Sequence, residues 1–194
     1  MSKLETNTID TISGTNTLQV GDGNVATINL GKSGDTINVP SGVTLANSGT
    51  ATGFATNTPA FEAKKTSGTQ AIANNADTKV TFNAENFDTD SAFASDKFTV
   101  PSGKGGKYFL YSSIGWTPNT NNVRVVYLYK NGSEAKRLCS FEGQADAATF
   151  WSNGGILDLS AGDYIEVYCY QNSGGSLDLL TNGEITYFGG YKLI

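Results

Sequence analysis

Apolar and polar residues alternate along this chain with a period of two, in short runs that end at Gly, Pro or Asn. That period is the signature of half-buried strands. No window of helical length carries an apolar stripe at helical spacing, so the chain reads as all-β. Strands are expected at Ala60–Ala63, Lys79–Phe82, Lys97–Val100, Lys107–Ile114, Val123–Lys130, Leu138–Phe141, Gly155–Leu159, Tyr164–Tyr170 and Glu184–Ile194. Asn131-Gly132 is a hairpin signal, and Asn153-Gly154-Gly155 and Ser160–Asp163 read as turns. Gly115 and Pro118 close the long strand before them. In Tyr164–Tyr170, Ile165, Val167 and Cys169 take one face, and Tyr164, Glu166, Tyr168 and Tyr170 take the other. So many strands in one stretch are expected to fold as two packed antiparallel sheets.

A different pattern occupies residues 1–58. Thr17-Leu18-Gln19-Val20-Gly21 recurs as Thr27-Ile28-Asn29-Leu30-Gly31 and as Thr36-Ile37-Asn38-Val39-Pro40, with a degenerate copy at Val43-Thr44-Leu45. The units are ten and then nine residues apart, and each is a short alternating strand stopped by Gly or Pro. This part holds one aromatic residue, Phe54, so it cannot bury a globular core of its own. Three chains wound round one axis would enclose Leu18, Val20, Ile28, Leu30, Ile37 and Val39, whereas a flexible linker has no reason to alternate. The expected organisation is a thin β-repeat stem, serving as an attachment region, over 1–58, and a globular head over 59–194. The segment from Gly49 to Thr58 is the expected collar between them.

Composition narrows the chemistry. The chain has 13 basic and 18 acidic residues, a net charge of −5 and no basic cluster, so nucleic acid is not an expected partner. Histidine is absent, which removes the commonest general base and metal ligand. There is no paired-carboxylate motif of the glycosidase kind. We therefore expect no enzyme, no catalytic residue and no cofactor. Asp88, Asp90 and Asp96 fall in one region, but their spacing fits no calcium loop, so no metal ligands are assigned. Cys139 and Cys169 lie in strand-like segments without a zinc pattern and are expected as buried free thiols. The N-terminus has no apolar signal segment, and no run reaches the length of a membrane span, so cytoplasmic synthesis without membrane insertion is expected.

Aromatic positions supply the candidate contacts. Trp116 is in phase with Leu110 and Ile114 and reads as core or subunit interface. Trp151, beside an apparent turn, is the candidate for ligand binding. The Tyr164, Tyr168 and Tyr170 stripe is too aromatic for a solvated face and reads as a trimer contact, because interfaces favour Tyr.

Several of these segments also form an ordered set. Pro59-Ala60-Phe61-Glu62-Ala63, Val80-Thr81-Phe82-Asn83, Asn86-Phe87-Asp88, Lys97-Phe98-Thr99-Val100-Pro101 and Gly106–Tyr111 are followed by Leu128-Tyr129-Lys130-Asn131-Gly132. Leu157-Asp158-Leu159 with Gly162-Asp163, and Phe188-Gly189-Gly190-Tyr191-Lys192-Leu193, complete it. In order and spacing this resembles the globular head of complement-type collagenous proteins, in the tumour-necrosis-factor-like jelly-roll superfamily. The departures are an extra Lys104-Gly105 and a β-repeat stem in place of collagen. The stem is similar in composition to those of bacteriophage tail fibres. The first resemblance implies a homotrimeric jelly roll, and the second implies a virion.

The combined expectation is a viral structural protein, a trimeric tail fibre or spike whose head meets a host-surface glycan or protein. Its N-terminal region would dock on other virion proteins. The alternative is a capsid decoration or head-fibre protein. An ordered stem makes a direct prediction. Leu30→Asp should place like charges at one height of a dry axis and fray it. Limited proteolysis should then cut the variant between Gly14 and Gly53 faster than wild type, leaving the head intact. Equal, rapid cleavage of both would show that the free protein has no ordered stem.

Overall fold

The computed structural model describes residue 27 and residues 32–46, 48–49, 57–120 and 122–193. The chain divides into two units, Met1–Thr52 and Gly53–Ile194. In the first unit, the described residues from 32 to 46 form turns at 33–34 and 41–42 and no strand. Among the described residues, the segments expected as strands at 36–39 and 43–45 form none. Ile37, Val39, Val43 and Leu45 are all exposed there. Leu18, Val20, Ile28 and Leu30 lie outside the described residues.

In the second unit, alternation becomes an antiparallel sandwich. The strands are β1 (Ala60–Lys64), β2 (Ala71–Ile72), β3 (Thr78–Lys79), β4 (Ala84–Asp88), β5 (Phe93–Ala94), β6 (Lys97–Thr99) and β7 (Gly106–Trp116). They continue as β8 (Val123–Lys130), β9 (Ser133–Glu142), β10 (Thr149–Leu159), β11 (Tyr164–Gln171), β12 (Leu177–Asp178) and β13 (Tyr187–Lys192). One sheet runs β10-β7-β13-β1-β4. The other runs β5-β6-β11-β8-β9, with β3 also paired to β11. A small β12-β2 pair lies apart.

Rings from both sheets interlock between them. Phe61 of β1 stacks on Phe98 of β6 with centroids 4.5 Å apart and planes 6° from parallel. Phe93 stacks on its other flank at 5.5 Å, and Phe188 of β13 meets it edge-on at 5.0 Å. Ile165, Val167 and Cys169 are fully buried, as their alternation requires. Trp116 is core, and the Arg124 guanidinium lies 5.7 Å from its ring centroid.

Local side-chain chemistry explains where strands depart from expectation. Only Thr78 and Lys79 of the segment around Lys79–Phe82 pair as a strand. Val80 N–H still donates to Val167 O, but Thr81 and Phe82 N–H donate to the side chains of Gln70 and Asp96. The last strand begins at Tyr187 rather than Glu184, because Asn182 captures the chain first. Its side chain accepts from Glu184 N–H, and its carbonyl accepts from Ile185 and Thr186 N–H. Asn153-Gly154-Gly155 is not a turn; it lies inside β10, and Gly115 lies inside β7.

Cys139 and Cys169 are free, Cys169 buried and Cys139, on edge strand β9, only half-buried. Val126 of β8 pairs with both, so two strand spacings, about 10 Å, separate them. That exceeds the roughly 7 Å a disulfide can bridge. Burial pushes the Cys139 thiol up to about 11, against a smaller opposing pull from its backbone hydrogen bond to Val126.

One carboxylate ties two turns together. Asn131-Gly132 joins β8 to β9 with φ of 53° and 80°, the left-handed pair that a two-residue hairpin requires. Asp163 receives Lys130 Nζ at 2.8 Å, Asn131 Nδ2 at 2.7 Å and Ser160 N–H at 2.8 Å. Chiefly through Lys130 and Asn131, these donors hold its carboxyl down at about 2. A carboxyl depressed in the folded state stabilises the fold above its unfolded value, about 3.9. That contribution disappears as pH falls towards 2. Thermal melts of wild type should therefore lose stability between about pH 4 and pH 2 more steeply than those of Asp163→Asn. Parallel curves would contradict the link.

Candidate functional site

A sheet face turned to water should be mostly polar at its outward positions, and on the outer face of the five-stranded sheet aromatic and aliphatic residues take many of them. Strand register sorts that face into rows. One row is Ile156, Phe109, Tyr191 and Ala60 across β10, β7, β13 and β1. The next is Gly154, Tyr111, Gly189, Glu62 and Phe87, reaching β4. A third is Ser152, Ser113, Tyr187, Lys64 and Ala84. Phe150, opposite Gly115, extends the face on β10.

Glycines let the rings lie flat. An added Cβ on Gly154 would sit 2.6 Å from Phe109 Cζ, and one on Gly189 would sit 2.5 Å from Tyr111 Cζ. Phe109 thus covers Gly154 while Tyr111 crosses Gly189. The rings continue laterally, with Phe109 5.7 Å from Tyr191 and 6.1 Å from Tyr111, and Tyr111 6.2 Å from Tyr187. Phe150 is 56% exposed, Ile156 52%, Phe87 46% and Tyr191 37%. Such a contiguous apolar surface marks a contact site more often than a solvated one.

Within this surface sits one hydrogen-bonded carboxylate. Tyr111 Oη donates to Glu62 Oε2 at 2.8 Å, and Asn86 Nδ2 donates to Glu62 Oε1. Lys64 Nζ in turn donates to Asn86 Oδ1. Burial, then the hydrogen bond and charge of Glu62, then Tyr187 and Tyr191, push the Tyr111 phenol well above its ordinary range. A cleft beside the cluster is lined by Glu62, Lys64, Asn86, Tyr111, Asn182 and Tyr187.

The positions singled out from the sequence lie elsewhere. Tyr164, Tyr168 and Tyr170 are on the outer face of the other sheet and are engaged by their own chain. Lys97 Nζ lies 4.6 Å from the Tyr164 ring, Tyr168 stacks on Tyr129 at 4.0 Å, and Tyr170 Oη bonds Asn75 Oδ1 at 3.1 Å. Between them Glu166 pairs with Lys79 at 2.7 Å. Trp151 is 52% exposed on edge strand β10. It shares the register of buried Ile114, so it faces β9, where its ring meets Phe141 at 5.6 Å. The aspartates serve local donors: Asp88 accepts from Phe93 and Asp90 N–H and Asp96 from Phe82 N–H, while Asp90 accepts from the Thr89 hydroxyl. Phe109, Tyr111, Phe150, Ile156 and Tyr191 were not singled out from the sequence. Their signal was available: aromatics at the positions of β7 and β13 that alternation turns away from the core.

Solved structures identify the architecture. Crystal structures of murine APRIL at pH 8.0 and pH 5.0 match with TM-scores of 0.54 and 0.52 and identities of 18% and 21%. Both matches cover 69% of this chain and 98% of theirs. The fold is an antiparallel jelly roll similar to that of APRIL. The globular domain of zebrafish complement 1qA protein also matches, with a TM-score of 0.49 and 16% identity, over 70% of this chain and 98% of that one. No family model matches the chain, and no curated protein does. At such identities the likeness concerns the jelly roll alone, and any function must be argued from this chain's own side chains.

The flattened rings generate a prediction. In Gly189→Ala the new Cβ would meet Tyr111 at 2.5 Å and the Phe61 carbonyl oxygen at 2.9 Å, so the ring must lift. Urea unfolding should show a loss of about 1–3 kcal/mol. Gly175→Ala, with nothing within 4 Å of its Cβ, should stay within about 0.5 kcal/mol of wild type. Equal effects would show that Tyr111 does not depend on the gap.

Proposed function

We propose that the protein is a homotrimeric attachment module of a virion, a tail fibre or spike whose three heads pack through the outer face of the five-stranded sheet. The observation that carries the self-association is the aromatic face itself. Phe150 and Ile156 are more than half exposed in the single chain, beside Phe109, Tyr111 and Tyr191, on a surface flattened by two glycines. The other aromatic face is covered by its own Lys97, Lys79 and Asn75, which makes it the poorer candidate. Exposed Ile37, Val39, Val43 and Leu45 support a similar need for other chains in the stem.

The virion assignment is supported by the repeat of Thr-Ile-Asn-Leu-Gly type and its likeness to phage fibres. A host-surface glycan or protein is the proposed target of the head. Trp151, exposed beside Phe141, is the residue proposed to touch it, and avidity from three copies would compensate for a weak single contact.

Sedimentation at micromolar concentration should give three times the 20.4 kDa of one chain. Ile156→Asp, which adds a charge to the shared face in every copy, should weaken assembly by about 2 kcal/mol or more per copy. The head should remain folded, because Ile156 is outside the core. A monomeric wild type would contradict the trimer. Electron microscopy of labelled particles should place the protein at the tail, and labelling over the capsid would favour a decoration role.

A further inference from the structure

A sheet face built to be covered should hold few charges, and this one holds Glu62 in its middle row, on β1 beside the central strand β13. The cause is visible in one row. Gly189 has no side chain, so Tyr111 crosses it and reaches Glu62 Oε2 at 2.8 Å. Asn86 supplies a second donor from β4. In the single chain Glu62 is half-buried, so part of its side chain stays open to water. Covering the face with another copy removes that water while leaving two neutral donors.

We propose that Glu62 makes assembly of the head proton-linked, so that copies associate more tightly as pH falls from neutral to mildly acidic. This rests on the self-association reading above. A carboxylate moved from water into a dry contact holds its proton more strongly, so assembly takes up protons. The groups facing Glu62 do not reverse that sign. Lys64, on its own strand, directs its ammonium to Asn86 Oδ1. From β4, Glu85 flanks Asn86 and adds negative charge. β7 presents the Tyr111 phenol and β13 presents Tyr187 and Tyr191, none of which can supply a positive charge. Glu184, from the turn before β13, lines the same cleft and adds a second negative charge. A symmetric assembly repeats the arrangement in every copy, so Glu62 charges also repel one another.

The test is the assembly constant of the full chain, by sedimentation between pH 7.5 and pH 5.5, for wild type and Glu62→Gln. Each proton taken up makes wild type about tenfold tighter per pH unit. Glu62→Gln should show a flat or much shallower dependence. At pH 7.5 it should assemble at least as tightly as wild type. Gln keeps the shape: its Oε1 can accept from Asn86 Nδ2 and its Nε2 can donate to Tyr111 Oη, with Asn86 still accepting from Lys64, so the fold should persist. Thermal melts verify that. Tyr111→Phe, which removes one donor from the carboxylate, should move the wild-type dependence to higher pH. A trimer with the same slope in wild type and Glu62→Gln would overturn the proton linkage alone. A chain that stays monomeric at every pH would overturn the self-association reading on which it rests.

Discussion

The stacked pair of Phe61 and Phe98, 4.5 Å apart, joins the two sheets of the head. Phe61 sits on β1, next to last in its sheet, and Phe98 on β6, next to last in the other. Phe93 and Phe188 close round them. Once Phe61 points inward, the period of two puts Glu62 outward. Pairing with β13 then sets Gly189 beside Glu62, and pairing with β7 sets Tyr111 beside Gly189. A slip of one residue would bury Glu62 and expose Phe61, so the core contact and the outer face are a single register.

The two outer faces are both aromatic, yet they solve the problem of exposed rings differently. On the six-stranded sheet, long cationic side chains and a tyrosine stack cover the surface from within one chain. On the five-stranded sheet, glycines remove the side chains that would hold the rings upright, and the rings spread into a plane. A plane of that kind suits another plane. The carboxylate in its middle row is what a purely apolar contact would omit, and in the proposed assembly it makes the contact sensitive to pH.

Much of the fold was legible because its signals are local and redundant. Val123–Lys130 with Asn131-Gly132 combined β-branched alternation with a turn that only certain residues make. Ile165, Val167 and Cys169 declared the inward face of β11. The errors came where a side chain took over a backbone hydrogen bond. Gln70 and Asp96 draw residues 81–82 out of the ladder, and Asn182 delays the last strand. Those partners are remote or ambiguous in the sequence. Gly154 read as a turn because glycine usually marks one, whereas here it is a gap for Phe109. Choosing between the two aromatic faces needed sheet order, which residue patterns along single strands do not contain.

The account turns on whether the outer face of the five-stranded sheet is covered in the native protein. Hydroxyl-radical footprinting reads that directly, with Phe150, Ile156 and Tyr191 as reporters and exposed Trp151, beside Phe141, as a neighbour off the face. The account predicts strong protection of the three reporters at micromolar concentration, well below what 56%, 52% and 37% exposure in a single chain would allow. It also predicts that this protection disappears on dilution below the assembly constant. Labelling of all three in proportion to their single-chain exposure, unchanged by concentration, would contradict it.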